Sequence, residues 1–149
     1  MLDLVLAIAH HLAVFTLVGI IAAELVLLRP GISGATLRRL SKIDAAYGGV
    51  AMLVLVAGFL RVFFGASGSG YYLPNPVFWM KIGAFVLVGL LSIQPTISLT
   101  RWRREVKAHP DYAPSDALVA RSRNFLLGEV LVLILIPILA AAMARGFGL

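Results

Sequence analysis

The 149-residue chain is 60 % hydrophobic and only 13 % charged. That is too apolar for a soluble domain of this length and predicts a polytopic membrane protein. It has no cysteine, which excludes disulfides, iron–sulfur clusters and thiolate metal sites. Its formal charge of +6 comes from basic residues that follow membrane topology and lack an interleaved base-stacking pattern, so no nucleic-acid partner is expected.

The first apolar run, 4–28, is interrupted by His10, His11 and Glu24. No positive segment precedes it and no small-residue cleavage signal precedes Glu24, so a retained span is expected and not a removed signal. His10 and Glu24 lie fourteen residues apart, close to four helical turns, on one stripe with Val14, Leu17 and Ile21; Asp3 precedes them on that stripe. His11 is turned about 100° away, which makes His10 the better interior ligand. "RPGISG" (29–34) stops this helix, and Ser41 and Asp44 are candidate N-caps for the second run, 45–65. In that run Tyr47 and Arg61 are again fourteen apart, with Ala51, Val54 and Gly58 between them.

A neutral Gly/Ser/Tyr loop, 66–76, leads through "LPNP" (73–76) into the third run, 77–99, with Pro76 near its first turn. A basic loop, 100–123, leads to the fourth run, 124–145. Pro95 and Pro137 should kink their helices or free a carbonyl. Small residues four apart (Gly19/Ala23, Ala45/Gly49, Ala140/Ala144) allow close helix contact. Each run is long enough to cross ~30 Å of hydrocarbon. The expected fold is all-α, with four transmembrane helices in one antiparallel bundle filling a single domain, 1–149, probed on its outside by the lipid bilayer.

Lysine and arginine placement sets the expected orientation. Arg29, Arg38, Arg39 and Lys42 lie in the first basic loop, and Arg101, Arg103, Arg104, Lys107, Arg121 and Arg123 in the second. The opposite side has Arg61, Lys81 and Arg145, all just inside helix ends. Both termini and the 66–76 loop are therefore expected on the non-cytoplasmic side of a bacterial inner membrane. Phe63, Phe64, Tyr71, Tyr72, Phe78 and Trp79 fit an aromatic belt there.

This topology sorts the ionisable residues into two storeys. The outer one holds His10, His11, Arg61 and Lys81, with Met80, Met143 and Arg145 at similar height. Imidazoles and cations inside a span are costly and mark candidate sites. Haem b needs an axial ligand, a flat slot and cations for two propionates; His10 or His11 offers the ligand, Gly19 and Gly58 the room, and Arg61 and Lys81 the cations. Copper is the rival, with His10 as the metal ligand beside Met80 or Met143. A non-catalytic membrane subunit, purely structural or acting as a His/Glu proton relay without a cofactor, is the third option. The inner storey holds Glu24, Glu129 and Gln94, with Tyr47 and Asp44 at its rim. Glu24 and Glu129 are the candidate catalytic pair for handling protons. No nucleotide-binding glycine loop is present, since the glycines at 65, 68 and 70 precede tyrosines.

The stretches "AHHLAVFTLVGIIAAELVLLRPG" (9–31), "LVAGFLRVFFG" (55–65), "NPVFWMKIGAFVLVGLLSIQPT" (75–96) and "IPILAAAMARG" (136–146) resemble a bacterial family of small four-span membrane proteins with no assigned function. A remoter similarity is to HemJ-type protoporphyrinogen oxidases and CopD-type copper-resistance proteins. It rests on an early histidine (His10 or His11), "RRLSKID" (38–44), "GFLR" (58–61) and "WMK" (79–81). The HemJ-type enzymes are haem-associated, so this similarity implies a haem b–binding redox protein. If the chain is an enzyme, a membrane oxidoreductase is expected; quinone entering from lipid is the candidate electron partner and a homodimer the candidate assembly. The chain departs from that pattern in its Trp–Lys spacing of two, in "SIQPT" where the HemJ type carries a histidine, and in "GE" where it has Asn-Glu. A second axial ligand would have to come from Met80, Met143, Lys81 or a partner subunit.

Overall fold

A computed structural model describes residues 1–148. It contains α1 (Leu2–Leu27), α2 (Gly34–Phe64), a single turn α3 (Ser69–Tyr72), α4 (Pro76–Ala108) and α5 (Asp116–Ala144). No strand occurs among the described residues. Four helices are long and apolar enough to cross a membrane. They form an antiparallel bundle in which α1 packs most closely on α2 and α4 on α5. The α2–α4 contact is looser and the α1–α5 contact slighter still. Much of the outer surface is large apolar side chains, such as Phe15, Phe63 and Leu131. Water would penalise such a surface and lipid does not.

The termini and the 65–75 connection meet at one end of the bundle. There Asp3 Oδ1 accepts from Ala66 N (3.1 Å), the Tyr71 hydroxyl donates to Met143 O (2.7 Å), and Asn75 Nδ2 donates to Phe147 O (3.1 Å). Asn75 also caps α4, accepting from Val77 N at 2.8 Å, and Pro76 follows it where a missing N–H costs nothing. Phe78, expected in the aromatic belt, is instead buried under this connection against Val62 and Met143. It sits in the first turn of α4, on the face that α3 covers, while its neighbour Trp79 points outward.

At the other end the helices run well past the expected spans. Helix α2 starts at Gly34, capped by Ser33, so Ser41 and Asp44 are not N-caps but buried residues inside the helix. The reason is an amphipathic first segment: Leu37, Leu40, Ser41 and Asp44 face inward while Arg38, Arg39 and Lys42 face out. Helix α4 reaches Ala108, about 50 Å from its start at 1.5 Å per residue, and α5 begins at Asp116. Most of the two basic connections is thus helical. Its own core, including Leu28, Leu40, Leu99, Trp102, Val106 and Val119, closes this end. Arg123 fastens it by donating through Nη1 to the carbonyls of Leu25 and Leu28, two of the acceptors that a helix C-terminus leaves free.

Candidate functional site

The inward stripe of α1 carries half-buried His10, then Leu17 and Ile21, each 1 % exposed, then Glu24 at 2 %. The stripe of α2 opposite carries Val54, Gly58 and Arg61. His10 Nδ1 lies 3.2 Å from Val54 O. A carbonyl only accepts, so Nδ1 carries the hydrogen and Nε2 is left for another partner. Gly58 makes this approach possible, since a Cβ there would stand 3.3 Å from His10 Cε1. His11 is exposed on the outer face of α1, its Nδ1 2.6 Å from Ala7 O.

Around His10 is a cavity of about 100 Å³ near the 65–75 end, with Arg61 and Lys81 in its wall beside Phe59, Tyr72, Phe78 and Phe85. Phe59 is 42 % exposed, so the cavity reaches the lipid-facing surface. The charged groups acting on His10 are Arg61, Lys81 and His11, all basic. Arg61 Nε is buried without a hydrogen-bond partner, and Lys81 Nζ stands 5.5 Å from the Phe78 ring centroid. Positive charge concentrated in a low-dielectric pocket favours a ligand that presents oxygens or negative charge.

The groups proposed from sequence fit this pocket unequally. The cavity of about 100 Å³ is small for a macrocycle, so haem b would need the helices to part or a second chain to complete the pocket. Copper is not assembled either. Met80 is 60 % exposed on the lipid side, Met143 is packed under α3, and no metal-holding group of three His, Cys, Asp or Glu exists among the described residues. Arg145 is exposed beyond α5.

The inner storey brings Glu24 (α1), Asp44 and Tyr47 (α2) and Glu129 (α5) together. Glu129 is 0 % exposed and neither of its carboxyl oxygens has a hydrogen-bond partner; Glu24 Oε1 also has none. Asp44 Oδ1 accepts from Thr96 Oγ1 at 2.7 Å. The Tyr47 hydroxyl faces Glu129 and Ser92. A second cavity, about 550 Å³, lies between α2 and α4 and is lined by Ser41, Asp44, Tyr47, Ser92, Thr96 and Arg103 among others. Phe85 borders both cavities. Between the storeys, Leu17, Ile21, Val54, Phe85 and Leu133 form an apolar layer.

Sequence reasoning missed Ser92, Thr96 and Ser122. Their signal was spacing: Ser92 and Thr96 are one turn apart in α4, and Ser122 and Glu129 two turns apart in α5. No curated protein and no solved structure matches the chain. A family model described as "Predicted membrane protein (DUF2214)" matches residues 2–148, and the chain, an integral membrane protein, belongs to that family.

Proposed function

We propose that this protein is a membrane redox protein that admits a quinone-type headgroup to the His10–Arg61–Lys81 pocket. The observation carrying this reading is the unpartnered Arg61 Nε beside two further basic groups, in an aromatic cavity that reaches the lipid-facing surface. Quinone oxygens suit that deficit, and their charge grows on reduction, so fixed cations favour the reduced anion. A ring of that size suits about 100 Å³ where a macrocycle does not, and its tail would leave laterally into lipid. The same reading places the basic end in the cytoplasm of a bacterial inner membrane, by the excess of Lys and Arg there.

Haem b is the second reading, favoured by the free Nε2 that His10 presents once Nδ1 is held by Val54 O. It requires parted helices or a homodimer in which a second chain completes the pocket.

The test is titration of detergent-purified protein with a short-chain quinone, read as quenching of Trp79 and Trp102 fluorescence. Saturable quenching is expected, weakened about tenfold in Arg61→Gln and in Lys81→Gln, the worth of one charge-assisted hydrogen bond. His11→Ala should leave it unchanged. Non-saturable quenching that ignores Arg61 refutes the quinone reading. A Soret band in protein expressed with added haem, lost in His10→Ala, selects the second.

A further inference from the structure

The outer pocket leaves the inner storey unexplained. Two carboxyl groups, Glu24 and Glu129, are buried inside the bundle with three of their four oxygens making no hydrogen bond. The Ser122 hydroxyl, also 0 % exposed and without a partner, lies on the same inward stripe of α5, two turns toward the basic end. A carboxylate so placed has no cation beside it to stabilise its charge. The charged and titratable groups acting on the pair are Asp44 and Tyr47, neither of them cationic. Metal ions are poorly served too, because no three carboxylates come within binding reach of one point among the described residues. The ligand whose chemistry matches two unpartnered carboxyls and no third donor is the proton.

A proton needs a path, and the α2–α4 cleft, whose outer rim at Gly48, Gly89 and Ile93 is exposed, offers one from the basic end. The α2–α4 cleft holds about 550 Å³, ample room for a chain of waters. Its walls supply hydroxyls and Asp44 at the depth where water is needed, and Arg103 marks its mouth at the basic end. It ends at Tyr47, whose hydroxyl faces Glu129. Toward the other end the way is closed by the Phe85 ring and the apolar layer behind it.

We infer that Glu24 and Glu129 form a proton-binding site loaded from the basic end through the α2–α4 cleft, with Tyr47 as the last relay and Phe85 as the partition from the His10 pocket. Each transfer moves a proton between hydroxyl, water and carboxyl oxygens, with no change of oxidation state. The site stands whether or not a quinone binds at His10, because it shares only the Phe85 wall with that pocket.

The test uses full-length protein reconstituted in vesicles, with its orientation read from protease cleavage of the 109–115 connection. Dicyclohexylcarbodiimide, which modifies protonated carboxyls in apolar surroundings, is the probe, and mass spectrometry identifies the labelled residue. Label is expected on Glu129 or Glu24 and not on exposed Asp111 or Asp116. Raising the pH on the basic-end face alone should slow it, about tenfold per unit above the titration point, while raising it on the other face should not.

Gly48 and Gly89 line the cleft, and a Cβ at either meets nothing within 4 Å, so Gly48→Leu and Gly89→Leu fill the path without disturbing the helices. Either should slow the response to a pH step about tenfold, with quinone titration unchanged. Glu129→Gln should remove label from 129 and Tyr47→Phe should slow loading. Absence of label on both carboxyls at every pH overturns the inference. So does equal response from both faces, or a response in the leucine variants as fast as in the parent.

Discussion

Replacing Arg123 by alanine tests how the basic end is held. Arg123 projects from α5 and donates to the carbonyls of Leu25 and Leu28, where α1 ends. Those acceptors have no helical partner, and Leu28 is 0 % exposed, so water cannot replace the guanidinium there. A hydrogen bond to a charged group contributes about 1.5–3 kcal/mol, and two from one nitrogen share their strength. The cation also meets the negative end of the α1 dipole, worth about 0.3–1 kcal/mol. Half-burial of Arg123 and solvent screening reduce both, so the expected loss is about 1–3 kcal/mol. The assay is reversible unfolding in mixed detergent and dodecyl sulfate, followed by far-ultraviolet circular dichroism. Arg123→Lys should recover the dipole contribution but only part of the bonding, because an ammonium lacks the planar fork. A loss below about 0.5 kcal/mol in Arg123→Ala, typical of an exposed surface change, would show that Arg123 only sets topology. Full rescue by lysine would refute the geometric part of the reasoning.

Three further outcomes follow from the packing. Thr96→Val keeps shape but removes the donor to Asp44 Oδ1 at 2.7 Å, and should cost about 1–3 kcal/mol in the same assay; no change would mean that water replaces the hydroxyl. Gly58→Leu projects a side chain from a Cβ site 3.3 Å from His10 Cε1, and should abolish saturable quinone quenching with helicity retained. Gly19→Leu, whose Cβ meets nothing within 4 Å, should leave quenching intact; if both variants bind equally, the pocket is elsewhere. Trp102→Ala opens a cavity in the closed basic end, where the indole is 2 % exposed, and should cost about 3–5 kcal/mol. A cost under 1 kcal/mol would mean that this end does not hold the bundle.

The first span was the most legible part of the chain, because a helix repeats its face every 3.6 residues and lipid makes polarity costly wherever it falls. His10, Leu17, Ile21 and Glu24 share the inward stripe for that reason, and His11 lies outside it. Lipid gives no such contrast at the membrane rim. Ser41 and Asp44 carry an N-cap signature, yet an amphipathic turn preceding them extends α2 back to Gly34. Hydropathy marks where apolar residues begin, not where a helix does. Arg123 and Phe78 were misassigned for a related reason: a basic residue in a loop and an aromatic at an interface each have a generic role that composition reveals, and a partner that only tertiary contact reveals. The cleft between α2 and α4 left only the weak trace of Gly48, Gly89 and Ser92, small residues that elsewhere signal close packing. Here they mark a gap.

The separation of the two storeys constrains what each one needs. His10 and Glu24 are fourteen residues apart on α1, about 21 Å at 1.5 Å per residue. Opposite charges at that distance attract by about 0.8 kcal/mol at an effective dielectric constant of 20, against several kcal/mol for stripping one ion of its water. The cations of the outer pocket therefore cannot compensate the carboxyls of the inner one, and each storey has to find compensation at its own depth. Hydrogen bonding within the bundle does not provide it: Arg61 Nε and both Glu129 oxygens stay unpartnered. The outer storey has an opening toward lipid, through which an oxygen-bearing ligand can reach Arg61 and Lys81. The inner storey has an opening toward the basic end, wide enough for water and lined with hydroxyls, through which a proton can reach Glu129. Phe85 stands between them. On the proposed reading the pocket near the 65–75 end takes its ligand from lipid and the inner carboxyls take protons from the basic end, each at its own depth.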